Sequence, residues 1–173
     1  MGKLILICGS NGSGKSRYAE SLISRTTGER YYIATMQPQT QENRRRIEKH
    51  RLQREGLHFH TLELPWKIAD ATVSPTSVVL LEDVSNLLGN ILFAKGGSRE
   101  EALGEILALK ERCRLLVAVS ISGLCPDGYD GETASYIHGL NHLNKRLAEL
   151  ADVVVTMEDG QPVCEKGDTY ALL

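Results

Sequence analysis

Four short runs of apolar residues punctuate the chain, at residues 4–8, 78–81, 115–119 and 153–155. Runs that are continuous rather than alternating are typical of strands covered on both faces, as in a mostly parallel sheet, although short buried helices give the same pattern. The segments between the runs therefore decide between the two structures. Weaker strands are predicted at residues 30–34 and 58–62.

Five intervening segments are rich in helix-forming residues, and several of them space apolar residues three and four positions apart. They cover residues 15–25, 41–54, 86–94, 100–112 and 132–151. Strand followed by helix, repeated along the chain, predicts an α/β fold with a mostly parallel, doubly wound sheet and helices on both faces. Glu158, Asp159 and Gly160 then predict a hairpin turn into residues 162–164, as an antiparallel edge.

Length and composition indicate one globular domain over residues 1–173, with 42% hydrophobic and 24% charged residues. No apolar run approaches the roughly 18 residues that span a bilayer, and Gly9 ends the first run too early for a signal-peptide core. The formal charge of −2 gives no global attraction to nucleic acid or acidic membranes. Four cysteines without C-x-x-C spacing predict free thiols in a reducing cytoplasm: Cys8, Cys113, Cys125 and Cys164.

A complete G-x-x-x-x-G-K-[ST] motif lies between the first predicted strand and the first predicted helix. Its residues are Gly9, Ser10, Asn11, Gly12, Ser13, Gly14, Lys15 and Ser16. Glycines let the backbone wrap a phosphate closely, and the following helix adds the positive end of its dipole. Lys15 is expected to reach the β- and γ-phosphates, and the Ser16 hydroxyl to bind Mg²⁺. The motif predicts a P-loop nucleotide-binding domain; the alternative is a Gly/Ser-rich turn without a ligand.

A carboxylate partner for Mg²⁺ is expected at the end of a second buried strand, where Glu82 and Asp83 follow residues 78–81. In sheets of this kind the carboxyl ends of the strands line the ligand crevice. We predict that at least one of the two carboxylates, Glu82 foremost, serves the metal. The alternative is that one of them caps the following helix.

A basic segment at residues 44–54 holds His50 among arginines and lysines. On a helix, Arg46, His50 and Arg54 lie four residues apart along one face. A neutral imidazole is a competent nucleophile at phosphorus, and nearby cations would keep it deprotonated and neutralise charge on an α-phosphate. A solvated basic helix with an incidental histidine is the alternative. The other histidines are interpreted as structural or solvent-facing: His58, His60, His138 and His142.

Further motifs follow the phosphate-binding loop in order. They are Y-I-A-T at residues 32–35, R-I-x-x-H at 46–50, T-x-E at 61–63, L-L-E at 80–82, N-I-L-F at 90–93 and N-x-x-L-A-x-x-A-D at 144–152. Over most of residues 1–157 the chain resembles the bifunctional adenosylcobinamide kinase / adenosylcobinamide-phosphate guanylyltransferases of cobalamin biosynthesis. The R-I-x-x-H, T-x-E and L-L-E combination carries this resemblance, because P-loops alone are shared by many proteins.

The resemblance implies that His50 takes GMP from GTP as a covalent phosphoramidate while the P-loop holds the triphosphate. It also implies GTP or ATP as substrates, Mg²⁺ as cofactor, a corrinoid acceptor, and a homo-oligomer, commonly a trimer. Matched to the family's motifs, the further nucleotide contacts are Thr35, Arg46, Arg54, Glu63 and Glu82. Glu63 would hydrogen-bond guanine or ribose, with Phe59 beside it where the family usually has Trp.

One region departs from that family. After residues 115–119 the family usually reads N-E-V-G-x-G-I-V-P and then R-x-F-R-D, whereas this chain reads S-I-S-G-L-C-P at 120–126 and lacks both arginines at 132–138. Three functions stay open: a cobinamide kinase and guanylyltransferase, a P-loop small-molecule kinase without GMP transfer, and a non-catalytic GTP-sensing protein. The last would bind its partner through residues 126–131, a segment predicted to be flexible.

Overall fold

The computed structural model describes all residues from Met1 to Leu173 and contains one seven-stranded sheet. The strands are β1 (Lys3–Gly9), β2 (Arg30–Ala34), β3 (Phe59–Glu63), β4 (Val78–Glu82), β5 (Leu115–Ile121), β6 (Val153–Glu158) and β7 (Gln161–Lys166). Their order across the sheet is β3-β2-β4-β5-β1-β6-β7. Every neighbouring pair is parallel except β6 and β7, which form an antiparallel hairpin. The predicted parallel sheet with an antiparallel edge is confirmed.

Five α-helices connect the strands: α1 (Lys15–Ile23), α2 (Gln41–Gln53), α3 (Val84–Gly89), α4 (Arg99–Lys110) and α5 (Gly131–Leu150). Four of them begin at a side chain that accepts a hydrogen bond from the backbone N–H three residues later, and these caps are Thr40, Asp83, Ser98 and Asp130. Such a cap satisfies one of the free N–H groups of the first turn. Helix α1 begins instead at Gly14, which leaves its first turn open to a ligand.

Strand β1 shows why the apolar runs are continuous. Leu4 and Leu6 pack into a core shared with α3, α4 and α5, whereas Ile5 and Ile7 pack into a second core shared with α1. All four side chains are fully buried, and each such burial stabilises the fold by about 1.5–3 kcal/mol. Helices therefore cover both faces of the sheet, as predicted.

Most helix and strand ends fall within one or two residues of the predicted positions. The helix predicted at residues 86–94 starts earlier, at Val84, because Asp83 caps it, and it continues as a π-helical turn at Asn90–Ala94. Two short 3-10 turns, Ile68–Asp70 and Tyr170–Leu172, were not indicated by the sequence pattern.

Asp152 ties the amino ends of β1 and β6 together. Its carboxylate accepts a hydrogen bond from the Leu4 N–H at 2.9 Å and pairs with the Lys3 ammonium at 3.1 Å. The Asp152 N–H donates in turn to the Leu4 carbonyl at 2.9 Å. Because Asp152 directly precedes β6, these contacts fix the amino ends of the two neighbouring strands. The phosphate-binding loop lies at the opposite, carboxyl end of β1.

All four cysteines are free, as predicted; Cys8 and Cys113 are buried, whereas Cys125 and Cys164 are exposed. None of the helices combines the length and the apolar character needed to cross a membrane.

Candidate active site

The phosphate-binding loop turns from the carboxyl end of β1 into α1. Gly12 and Gly14 have φ angles of 75° and 87°, a region that side chains with a Cβ avoid. A Cβ on Gly9 would lie 2.4 Å from the Ser13 Oγ and 3.1 Å from the Met157 Cβ. Positive φ thus favours glycine at positions 12 and 14, and neighbouring side chains leave no room for a Cβ at Gly9. A loop of this kind presents backbone N–H groups to a phosphate.

Lys15 and Ser16 are the first two residues of α1, and both line the cleft. Lys15 is buried, and its ammonium donates to the Ser10 carbonyl at 3.1 Å. Burial lowers the pKa of Lys15, an effect that the nearby Asp83 and Glu82 oppose. The Ser16 hydroxyl donates to the Glu82 carboxylate, so the predicted pair from β1–α1 and the end of β4 meets in the structure.

Glu82 and Asp83 differ in their contacts. One Glu82 oxygen accepts from Ser16, while the other, Oε2, is buried without a hydrogen-bond partner. Burial, with repulsion from Asp83, raises the pKa of Glu82 to about 8. The Asp83 Oδ1 accepts from the Asn86 N–H at 2.7 Å and from the Asn86 side chain at 3.0 Å. Asp83 is therefore the helix cap that the sequence left as an alternative, and it also lines the cleft.

Helix α2 brings His50 into the same cleft as the phosphate-binding loop. The imidazole is half-buried, and its Nδ1 is buried without a hydrogen-bond partner. Burial lowers the pKa of His50, and the neighbouring charges of Arg54, Arg46, Lys49 and Lys15 lower it further. Both effects favour the neutral imidazole, in which one ring nitrogen has a free lone pair.

No side chain within α2 is buried. Two hydrogen bonds and one cation–π contact hold this helix and its C-cap against the rest of the site. The Arg46 guanidinium donates to the Asn11 side chain of the phosphate-binding loop at 3.2 Å. The Gln53 amide donates to the Glu20 carboxylate on α1 at 2.7 Å. The guanidinium carbon of Arg54, which caps the end of α2, lies 3.7 Å from the centre of the Tyr32 ring.

Four predicted nucleotide contacts do not line this cleft: Gly9 and Ser10 at the start of the phosphate-binding loop, and Thr35 and Glu63 farther along the chain. Thr35 is fully buried, and its hydroxyl accepts from the Asp83 N–H at 2.8 Å and lies 2.9 Å from the Asp83 carbonyl. Glu63 is exposed at the end of β3 and lines a second groove of about 870 Å³, together with His58 and Phe59. Ile47 and Arg54 line both cavities, so the second groove adjoins the cleft that holds His50.

The cleft has a volume of about 880 Å³ and includes residues that the sequence did not single out. Ile121 and Tyr136 form the wall beside Glu82 and Asp83, in the region where the chain departs from the family pattern. Glu20 is buried near the cleft, and its Oε1 has no hydrogen-bond partner. A carboxylate next to the buried face of α1, between Ala19 and Leu22, was the only sign of it in the sequence.

A glycine-rich turn between β1 and α1, on a mostly parallel sheet with a carboxylate on the loop serine, defines a P-loop protein of the nucleotide-hydrolase type. A solved structure with this fold is that of an ATPase from the type III secretion system of pathogenic bacteria. It superposes with a TM-score of 0.56 at 11% sequence identity, covering 90% of this chain and 52% of that one. This similarity shows the fold.

The sequence comparison is more specific. Residues 5–164 match the family described as cobinamide kinase / cobinamide phosphate guanyltransferase, and the chain therefore belongs to that family.

Three curated relatives agree with the assignment. Bifunctional adenosylcobalamin biosynthesis protein CobU of Salmonella typhimurium is 31% identical over 91% of this chain and 96% of that protein. The protein CobP of the same description from Pseudomonas aeruginosa is 30% identical over 94% of this chain and 97% of its own length. CobU of Escherichia coli is 42% identical over a shorter match, which spans 56% of this chain and 54% of that protein.

Proposed function

We propose that this chain phosphorylates adenosylcobinamide with a nucleoside triphosphate and then transfers GMP from GTP to the resulting phosphate through His50. The observation that carries the proposal is the position of His50, which lies in the same cleft as the phosphate-binding loop. The lowered pKa of His50 favours the neutral imidazole, which is the form that can attack phosphorus. Family membership supports both activities.

The transfer consists of two balanced displacements. An imidazole nitrogen of His50 attacks the α-phosphorus of GTP, a P–N bond forms, and the bond to the β-phosphate breaks to release pyrophosphate. A phosphate oxygen of the acceptor then attacks the same phosphorus, the P–N bond breaks, and neutral imidazole is regenerated. Splitting one transfer into two steps in this way is the advantage of a covalent intermediate.

Cations around the imidazole complement this chemistry. Arg46 and Lys49 line the cleft beside His50, and Arg54 lies at its border. Each can offset negative charge that develops on the α-phosphate in the transition state. We assign the guanine or ribose contact to Glu63 in the second groove, and a supporting role to Thr35, whose hydroxyl holds the backbone of Asp83.

The residues around Glu82 fit a Mg²⁺ ion. The Ser16 hydroxyl and the buried, unpartnered Glu82 Oε2 are hard oxygen donors, which are the ligands that Mg²⁺ prefers. A cation there would also stabilise the charged form of Glu82, whose pKa burial otherwise raises. When bound, Mg²⁺ neutralises charge on the β- and γ-phosphates. Lys15 supplies a second, fixed positive charge from the protein itself.

The guanylyl intermediate gives the decisive test. The wild-type protein, incubated with GTP radiolabelled at the α-phosphate, is expected to acquire label that is lost in acid, as phosphoramidates are. His50→Asn is expected to remain unlabelled, while His138→Asn, a change at an exposed histidine on α5, should label like the wild type. Label on His50→Asn, or none on the wild type, would contradict the proposed transfer.

A kinase without GMP transfer is the second candidate. It is favoured by one observation: Ile121 and Tyr136 give the acceptor side of the cleft an uncharged wall. This candidate predicts nucleotide-dependent phosphorylation of cobinamide by both the wild type and His50→Asn, with no labelled intermediate. The GTP-sensing alternative predicts neither phosphorylation nor label.

We further propose a cytoplasmic homo-oligomer, and the family resemblance favours a trimer. Two exposed free thiols, Cys125 and Cys164, are compatible with a reducing compartment. Light scattering coupled to gel filtration would measure the stoichiometry directly.

A further inference from the structure

Arg54 follows the last residue of α2, and its side chain is buried where the two cavities adjoin. Its backbone N–H donates to the His50 carbonyl at 3.2 Å, and its side chain lines both the cleft and the second groove. Only 9% of the residue is exposed, yet the guanidinium makes no hydrogen bond or ion pair with the protein. A buried cation without a partner is costly, so its stabilisation must come from another source.

The ring of Tyr32 supplies this stabilisation. The Arg54 guanidinium carbon lies 3.7 Å from the centre of the ring, and the negative face of an aromatic ring attracts a cation. Tyr32 lies on β2, which is paired with β3 on one side and β4 on the other, and the residue is buried. Phe59 of β3 meets the same ring edge-on, with the ring centroids 5.8 Å apart and the planes at 71°. The ring is therefore a fixed surface, and it fixes the position of the guanidinium.

Stacking leaves the guanidinium able to bind an anion. All five N–H donors of a guanidinium lie in its plane, in a geometry that matches phosphate. A carboxylate partner would occupy these donors and compete with a phosphate, whereas an aromatic ring covers only the face. The buried carboxylate of Glu20, on the neighbouring helix α1, accepts from Gln53 at 2.7 Å and forms no ion pair with Arg54. The donors of Arg54 are thus free to contact a ligand in the cavities.

We propose that Tyr32 is a positioning residue for the transfer of GMP: its ring holds the Arg54 guanidinium beside His50, with the N–H donors turned to the α-phosphate of GTP. This inference rests on the proposed function. As the P–N bond to His50 forms and the bond to the β-phosphate breaks, a donor that is already in place stabilises the charge on the α-phosphate oxygens without reorganisation. The phosphate-binding loop holds the rest of the triphosphate, so loss of the ring should slow the transfer far more than it weakens GTP binding.

The rate of GMP labelling in a single turnover, measured over a range of GTP concentrations, tests the role of the ring. Tyr32→Leu keeps an apolar side chain but removes the aromatic face, and its maximal rate should fall by about 10- to 100-fold, as small misplacements of a catalytic group do. The GTP concentration that gives half the maximal rate should stay close to the wild-type value. Tyr32→Phe retains the face and should label like the wild type. Tyr31→Leu is the matched control, because Tyr31 precedes Tyr32 on β2, contacts His60 and lines neither cavity.

The pKa of His50, measured by NMR titration without nucleotide, is a second readout that does not depend on catalysis. Burial lowers this pKa, and the cations that face the imidazole lower it further: Arg54 foremost, then Arg46 and Lys49 on α2 and Lys15 on α1. Tyr32→Leu releases Arg54, so the pKa of His50 should rise toward the ordinary value of about 6.5. Tyr32→Phe and Tyr31→Leu should keep the wild-type pKa.

A folded Tyr32→Leu protein with wild-type labelling and a wild-type His50 pKa would overturn the inference. So would a Tyr32→Phe protein that labels as slowly as Tyr32→Leu, because the hydroxyl would then be responsible. If Tyr32→Leu does not fold, Arg54→Lys decides: it keeps the charge but lacks the planar donors, so slow labelling is expected and a wild-type rate would overturn the inference. A wild-type protein that acquires no label would refute the GMP transfer, while the His50 pKa would still show whether the ring holds Arg54 beside the imidazole.

Discussion

The hydrogen bond between Gln53 and Glu20 gives a direct test of how α2 is held against α1. Helix α2 has no buried side chain, and the Gln53 amide holds its last turn to α1 through a hydrogen bond of 2.7 Å. Gln53→Ala would leave the buried Glu20 carboxylate without any side-chain partner. A hydrogen bond to a charged group contributes about 1.5–3 kcal/mol. The ratio of docked to undocked α2 is therefore expected to fall by about 10- to 100-fold, at 1.4 kcal/mol per factor of ten.

Limited proteolysis measures this ratio, because cleavage by trypsin follows the population of the open form when opening is fast. Helix α2 contains several trypsin sites, including Arg44, Arg45 and Lys49. Cleavage within α2 should accelerate by about the same 10- to 100-fold in Gln53→Ala. GMP labelling of His50 should slow only to the extent that the docked fraction of α2 falls.

The matched control is Glu48→Ala on the exposed side of the same helix. Glu48 pairs with Arg51 at 3.8 Å, and both side chains are more than half exposed, so this pair contributes little. Trypsin should cut Glu48→Ala at nearly the wild-type rate. Equal cleavage of Gln53→Ala and the wild type would refute the claim that this contact docks the helix.

Two further predictions concern protonation and stability. His50 reacts as the neutral imidazole, and its pKa is lowered, so labelling should hold its rate as the pH falls through the ordinary histidine value of about 6.5 and decline only at lower pH. Arg54→Gln should move that decline to higher pH, and an unchanged pH profile would exclude an influence of Arg54 on the imidazole. Thr35→Val removes the acceptor of the Asp83 N–H and should lower the free energy of unfolding by about 2 kcal/mol, or the melting temperature by about 4–8 °C. Thr35→Ser retains the hydroxyl, and a thermal melt in which it falls as far as Thr35→Val would contradict this account.

Local patterns in the sequence were sufficient for the strands and for the phosphate-binding loop. Burial on both faces demands continuous apolar runs in β1, β4, β5 and β6, and positive φ favours glycine at positions 12 and 14 of the loop. The ends of the helices were less accessible. Val84 begins α3 only because Asp83 turns its carboxylate back onto the Asn86 N–H, a choice between capping and metal binding that the sequence left open.

Contacts between distant segments could be predicted only where a motif links them, as for Ser16 and Glu82. Glu20 and Gln53 are 33 residues apart, and no periodicity indicates that their side chains meet. The order of the strands was equally hidden, yet it places the end of β4 close enough to α1 for Glu82 to accept from Ser16. Glu63 was expected through its motif to contact guanine or ribose, and the structure places it in the second groove.

The motifs of the family resemblance include residues that line the site and residues that support the fold. Asn90 is of the second kind. Its side-chain amide donates to the Thr35 carbonyl at 2.8 Å and to the Pro65 carbonyl at 2.9 Å, so it joins the loops that follow β2 and β3. The N-I-L-F motif that contains Asn90 therefore has a structural role, because it holds together the loops that support the site.

Asp152 is a second motif residue with a structural role, and it lies at the amino ends of the strands, opposite the site. It belongs to the last motif of the resemblance, yet its carboxylate contacts Lys3 and the Leu4 N–H at the start of β1, far along the strand from Gly9. In a mutational scan, a change at Asp152 would therefore reduce the yield of folded protein while the molecules that do fold retain wild-type turnover. A scan that records only total activity would count it as an active-site residue, and normalising activity to folded protein would separate the two groups of motif residues.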